Sequence, residues 1–192
     1  MRGGDPSGGD VSGSDERAGR AAAASSGLVG RLDYPMFVVT AGTGSQRDGC
    51  LAGFVTQCSI VPARFLVCLS KANRTAEVAS ASPALGLHLL GGDQLDLAST
   101  FGELTGDEVD KLSLVRWRPG STGVPILETC AAWLEGRVLQ RTDLGDHVGH
   151  LLEPVAGGAG SAAGLLWFSS TAGFDAGHPP EERRHPPTER GA

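Results

Sequence analysis

RDGCLAGFVTQCSIVPARFLVCLSKANRT, residues 47–75, is the stretch on which the reading of this chain turns. Phe54–Ile60 and Phe65–Leu69 are runs of strand length bounded by Gly and Pro, and Val61-Pro62-Ala63-Arg64 supplies a turn between them. In the first run, Thr56, Gln57, Cys58 and Ser59 stand where a plain core strand would carry Val, Ile or Phe. The second run leads straight into Ser70-Lys71-Ala72-Asn73-Arg74-Thr75, two cations and three neutral hydrogen-bonding side chains in six residues. A strand edge of hydroxyls and amides beside a basic loop suits an anionic, ring-bearing ligand. The strand would meet a heterocycle and a polyol, and Lys71, Arg74 and backbone N–H groups would hold a phosphate.

Around this centre the composition describes one domain with polar ends. Of 192 residues, 1–30 are dominated by Gly, Ser, Ala and Asp, and 179–192 (PPEERRHPPTERGA) hold four prolines and no large apolar side chain. Neither end buries enough surface to offset the entropy of ordering it, so both are expected to be disordered tails flanking a domain at 31–178. The net charge is −6, and outside the tails 15 acids face 10 bases, which argues against a nucleic-acid partner. Of the two lysines, Lys71 and Lys111, the first falls in the basic loop. Cys50, Cys58, Cys68 and Cys130 have neither Cys-x-x-Cys nor finger-like Cys/His spacing, so buried free thiols and no metal are expected. No apolar run reaches signal-peptide or membrane length, which places the expected location in the cytoplasm without a membrane partner.

The rest of the chain alternates short strands and short helices. Met36–Thr40 reads as a strand, with a Gly-rich turn at 41–45 after it. Thr75–Ser82 reads as an Ala-rich helix stopped by Pro83, and Ala84–Leu90 as a strand with Leu85, Leu87 and Leu89 on one face. Asp93 is placed to cap a helix through Glu103 that turns Leu97, Ala98 and Phe101 inward. Thr105-Gly106-Asp107-Glu108 has the spacing of a capping box for a second short helix with Val109 and Leu112 on its apolar side. Ala131–Gln140 and His147–Val155 read as a hairpin turned at Asp143-Leu144-Gly145, and Leu165–Ser170 as a last strand. Six or more short strands with few helices predict a mainly β, Greek-key barrel.

Several chemistries have no motif here. There is no Gly-x-Gly-x-x-Gly leading into a helix, so a nicotinamide would have to bind without its own Rossmann domain. There is no Gly-x-Ser-x-Gly and no His-Glu-x-x-His. From the residues alone, Thr56–Ser59 would also suit a solvated strand, Phe54 a core position, and Asn73 or Ser70 a helix cap. Cations in a first helical turn oppose the helix dipole, which a bound phosphate would offset. Asp146-His147, by itself, is a turn aspartate and a surface histidine.

The run GCLAGFVTQCSIVPARFLVCLSKANRT, with Gly145-Asp146-His147 and the Gly123-Val124-Pro125 before a strand, resembles the FMN-binding split-barrel flavin reductase family. The likeness covers roughly residues 32 to 178, a usual domain length. It implies a split β-barrel that binds FMN or FAD between the subunits of a homodimer. It implies hydride transfer from NADH or NADPH to the flavin, and a monooxygenase partner that takes the reduced flavin. Gly53, Phe54, Thr56, Gln57, Cys58 and Ser59 would lie along the flavin ring and ribityl chain. Ser70, Lys71, Asn73, Arg74 and Thr75 would hold the phosphate. His147 would stand by the flavin or nicotinamide ring, with Asp146 fixing its tautomer. Ala52 and Gly53 depart from the Asn or Ser of many members, which predicts missing ribityl contacts. The alternatives are a flavin-binding electron carrier without nicotinamide activity and another split-barrel oxidase; Gly-Asp-His speaks against the latter.

Overall fold

The computed structural model describes residues 11–175, with side chains from residue 16 onward. The expected tail at 179–192 and the first ten residues lie outside the described residues. The described chain divides between Asp33 and Tyr34 into two bodies. In the first, the described part of the expected N-terminal tail is helix α1 (Val11–Val29). The run Ala21–Ala24 has the highest helix propensity of any residue type, and Glu16 and Arg20 pair at 3.6 Å one turn apart. The side chains of residues 16–29 are exposed, so this helix rests on propensity rather than on packing.

In the second body, β1 (Phe37–Thr43) and β2 (Gln46–Ala52) form a hairpin in which Phe37 faces Ala52 and Thr43 faces Gln46. Gly44, at φ +58, takes the left-handed backbone of the turn. The second hairpin follows the sequence closely: β3 (Val55–Ser59), a turn at residues 60–63, and β4 (Arg64–Ser70). Helix α2 (Arg74–Ala81) is capped by Asn73, whose Oδ1 accepts the Thr75 N–H at 2.9 Å, and it ends at Ser82 before Pro83. Strand β5 (Ala84–Leu89), helix α3 (Leu95–Gly102) and a short pair, β6 (Trp117–Pro119) with β7 (Pro125–Leu127), lead to the long hairpin β8 (Ala132–Asp143) and β9 (His147–Ala159).

Seven strands make one antiparallel sheet in the order β2-β1-β5-β8-β9-β4-β3. Cys50 and Ala52 at one edge share a single apolar cluster with Val67 and Leu69 near the other, together with Val39, Leu87 and Leu152. The sheet must therefore curl around that cluster. Among the described residues no ladder joins its edges, so the mainly β, antiparallel architecture holds and the sheet is curled without closing. A second cluster, Met36, Val38, Leu90, Phe101, Leu112 and Leu127, covers the other side of β1 and β5. That is why β5 is buried on both faces instead of alternating. His88, on this second side, accepts the Leu127 N–H at Nε2 (3.0 Å), so its Nδ1–H donates to the Val38 carbonyl (3.0 Å). Burial, only partly offset by that carbonyl, lowers its pKa to about 4.

Three expectations about local structure change, and one strand comes without having been foreseen. Strand β2 reads QRDGCLA and has no strand-like pattern, because Asp48 is buried only by virtue of partners remote in sequence. Asp93 does not cap α3; Gln94 occupies that position, and its side chain accepts the Gly91 N–H (2.8 Å) and donates to the Thr129 carbonyl (3.0 Å). Thr105–Glu108 forms a turn rather than a helix start, followed by a 3-10 turn at Lys111–Leu114 that points Lys111 inward. Leu165–Ser170 is not a strand: it makes one bridge, Pro35 to Trp167, and then a 3-10 turn at Phe168–Thr171. A continuous apolar run carries no periodicity with which to distinguish these outcomes.

Candidate functional site

Strand β4 alternates between two environments. Val67 and Leu69 enter the apolar cluster, whereas Leu66, Cys68 and Ser70 face the opposite way, beside the start of β9. There Ser70 is the register partner of His147. The Gly53–Phe54 link crosses this outer face, and the Cys68 N–H donates to the Phe54 carbonyl at 2.9 Å. The result is a hollow of about 160 Å³ lined by Gly53, Phe54, Cys68, Ser70, Asn73 and His147, with Tyr34 and Phe168 on its far wall. A second hollow of about 510 Å³ continues along Val55, Thr56, Gln57 and Leu66, and shares Tyr34, Gly53, Phe54 and Cys68 with the first.

Aromatic rings dominate one wall. Tyr34 stacks on Phe168 (centroids 4.8 Å apart, 20° between planes) and tilts against Phe54 at 6.0 Å, which in turn meets the His147 ring at 5.4 Å. A Cβ at Gly53 would sit 2.1 Å from Tyr34 Cε2, so any larger residue there would have to displace the Tyr34 ring. The space that a larger residue at 53 would occupy is filled by a ring from another part of the chain. The wall's two halves are tied by backbone, Phe168 N–H to the Tyr34 carbonyl (2.9 Å) and Met36 N–H to the Leu166 carbonyl (2.9 Å). Tyr34, Met36 and Phe168 were not legible as site residues, since nothing local distinguishes them from core. His147 Nδ1 lies 2.8 Å from Asp146 Oδ1, and this hydrogen bond holds the Asp146 carboxyl below the usual carboxylate range.

The residues named from the sequence divide into groups. Gly53, Phe54, Ser70, Asn73 and His147 meet around the smaller hollow, and Thr56 and Gln57 join Gly53 and Phe54 around the larger. Cys58 is exposed, against the expectation of a buried thiol, because β3 is the edge strand and pairs with β4 alone. Ser59 and Cys58 line neither hollow. Lys71 and Arg74 do not line them either: Lys71 Nζ binds Asp143 at 2.9 Å and Arg74 pairs with Asp107 at 3.5 Å. Thr75 is turned into the core, where its hydroxyl donates to Asp48 Oδ2 at 2.9 Å.

The flavin reductase like domain matches this chain over residues 29–173. The chain belongs to the flavin reductase-like family. Similar members include the NADH-dependent FMN reductase RutF of Variovorax paradoxus, 29% identical over 141 residues, or 73% of this chain and 78% of that protein. The reductase component of 4-hydroxyphenylacetate 3-monooxygenase from Pseudomonas aeruginosa is 27% identical over 126 residues, 65% of this chain and 74% of that protein. The NADH:FAD oxidoreductase SgcE6 of Streptomyces globisporus, solved with NAD and FAD fragments, superposes with a TM-score of 0.65 at 25% identity over 84% of this chain and 91% of that one.

The geometry suits a flavin. The two joined hollows reach the ~300–1,000 Å³ range of small-molecule sites, and an apolar, aromatic wall with a few convergent polar groups is the usual lining of such sites. Ser70 and Asn73 bring a hydroxyl and an amide to the side of the hollow next to the start of α2.

Proposed function

We propose that this family member is an NAD(P)H:flavin oxidoreductase that transfers a hydride from NADH or NADPH to FMN or FAD. The observation that carries this is the meeting of Gly53, Phe54, Ser70, Asn73 and His147 around one aromatic-walled hollow at the start of α2. Its relatives' activities support the same reaction class. Bound there, the flavin supplies the two-electron acceptor. The chain's part is orientation. Tyr34, Phe54 and Phe168 shield the ring side from water, and Thr56 and Gln57 flank the larger hollow with hydrogen-bonding groups. Ser70 and Asn73 would stand at the phosphate, and Lys71 and Arg74, paired with Asp143 and Asp107, belong to the same segment. His147, whose Nδ1 lies against the Asp146 carboxylate, would have Nε2 left to hydrogen-bond a bound flavin or nicotinamide.

We infer the finer biology from other features. Phe54, Ile60, Val61 and Leu144 are large apolar side chains left exposed around the β3–β4 and β8–β9 turns, and a second copy of the chain would cover them in a homodimer. A flavin-dependent monooxygenase is the partner suggested by the relatives that serve as reductase components. Among the described residues no helix is long and apolar enough to cross a membrane, and all four cysteines are free, which suits a reducing cytoplasm.

Mixing the purified protein with FMN and NADH or NADPH without oxygen tests the activity: the yellow absorbance of oxidised flavin should bleach in the presence of catalytic protein. Tight flavin binding with persistent colour would favour the electron carrier instead. Replacing Lys71 and Arg74 with Ala should weaken FMN more than riboflavin, and equal loss for both would remove the two cations from the phosphate site.

A further inference from the structure

Lys71 lies between two residues that line the hollow or precede one, yet its ammonium turns away towards the β8–β9 turn. Nζ meets both carboxylate oxygens of Asp143 at 2.9 Å. Its own backbone N–H donates to the Asp146 carbonyl at 2.9 Å, and the residue before it, Ser70, pairs with His147 in the β4–β9 ladder. The turn is closed from its other side as well. Asp143 Oδ1 accepts the Gly145 N–H at 3.0 Å, the Leu144 N–H donates to the His147 carbonyl at 2.9 Å, and Gly145 takes φ +101. Asp143 is the last residue of β8 in the ladder, opposite Val148, and the ammonium–carboxylate contact adds a side-chain tie from there to the loop after β4.

We infer that Lys71 and Asp143 are positioning residues for His147: their ion pair clamps the β8–β9 turn to the loop after β4 and so sets how the His147 ring stands over the hollow. This rests on the placing of His147 at the flavin site proposed above. An ion pair this exposed adds little to stability, so its worth lies in geometry. The Lys71 charge also reaches Asp146, which helps keep that carboxylate ionised opposite His147 Nδ1. Asp143 itself is held below the usual carboxylate range, chiefly by the Lys71 hydrogen bond and then by Gly145.

The test uses the full chain with Asp143→Asn and Lys71→Arg, alone and in a His147→Ala background. In Asp143→Asn the His147 ring resonances, followed by NMR without any ligand, should shift or broaden. The kcat/KM for NADH with FMN should fall about three- to ten-fold, while riboflavin affinity, read by fluorescence quenching, stays within about two-fold. Lys71→Arg, which keeps a cation opposite Asp143, should move the His147 resonances less than Asp143→Asn does. In the His147→Ala background, Asp143→Asn should cost nothing further. Unmoved His147 resonances, or a cost that persists without His147, would overturn the clamp. A His147→Ala variant with wild-type turnover would instead remove His147 from the site, whatever its resonances show in Asp143→Asn.

Discussion

Both lysines of this chain face an aspartate, and the two pairs could hardly differ more. Lys111 and Asp48 are 2% and 4% exposed and sit 3.5 Å apart inside the domain, with the Thr75 hydroxyl on the second Asp48 oxygen and the Phe101 ring 6.0 Å from Nζ. Lys71 and Asp143 are closer, 2.9 Å, but the Asp143 side chain is 73% exposed. Distance alone would rank the outer pair as the stronger. Environment reverses that order. In water the outer pair is screened and competes with solvent, whereas the inner pair cannot lose one member without leaving a bare charge in the core. The inner region therefore holds the fold together, joining β2, α2 and the Lys111 turn. The outer region is free to serve the site, where small changes of position matter more than stability.

The largest expected effect breaks the inner pair. Lys111→Met should cost about 3–5 kcal/mol of unfolding free energy, measured by urea denaturation, because Asp48 is left buried with only Thr75. A cost near that of a surface substitution would mean that water reaches Asp48 and that the contrast is false. Cys50 reports on the same region: burial pushes its thiol up to about 11, with Lys111 opposing, so it should stay unreactive to alkylation at neutral pH until the chain unfolds.

The histidines sharpen the comparison next. Buried His88 keeps a pKa of about 4, against about 6.5 in the unfolded chain. Between those values the unfolded state binds the proton and the folded state does not, so stability falls as pH drops from about 6.5 to about 4. The loss should approach ~3 kcal/mol from this residue. His150, lowered by burial and by Arg141, adds to the same slope. Unfolding free energy measured across that window should flatten in His88→Gln, and an unchanged slope would clear His88 of the effect.

A smaller cost is expected at the aromatic wall. Gly53→Ala drives a methyl into the Tyr34 ring and should destabilise by about 1–3 kcal/mol. It should also disturb the Tyr34–Phe168 stack, visible in near-ultraviolet circular dichroism, and Tyr34→Leu in the same chain should restore part of the stability. Smallest of all is Asp143→Asn, which should leave the urea midpoint where it is while changing turnover. A large shift in that midpoint would make the outer pair structural and erase the distinction between the two lysines.

Much of the fold was legible because it rests on local chemistry. The β3–β4 hairpin, the Asn73 cap and Ser82-Pro83 stop of α2, and the Asp143–Gly145 turn all depend on residues within a few positions of one another. Strand β2 and the segment at 165–170 were not legible, since their conformations depend on partners remote in the chain. Of the residues singled out as motif, Gly53, Phe54, Ser70, Asn73 and His147 line one hollow. The directions of Lys71, Arg74 and Thr75 were not legible, because these three side chains, in the loop after β4 and the first turn of α2, point to three different acids.

By itself, then, the sequence determined that this is a mainly β chain of the flavin reductase type with a polar hairpin and a Gly-Asp-His turn. Turn chemistry, capping and strand periodicity act over a few residues and leave their mark in local order. Tertiary structure alone decided that Tyr34 and Phe168 build the wall over Gly53, and that one lysine is locked in the core while the other clamps a turn. Those outcomes depend on which distant groups are brought near and on how much water remains between them, and neither is written in the residues on either side.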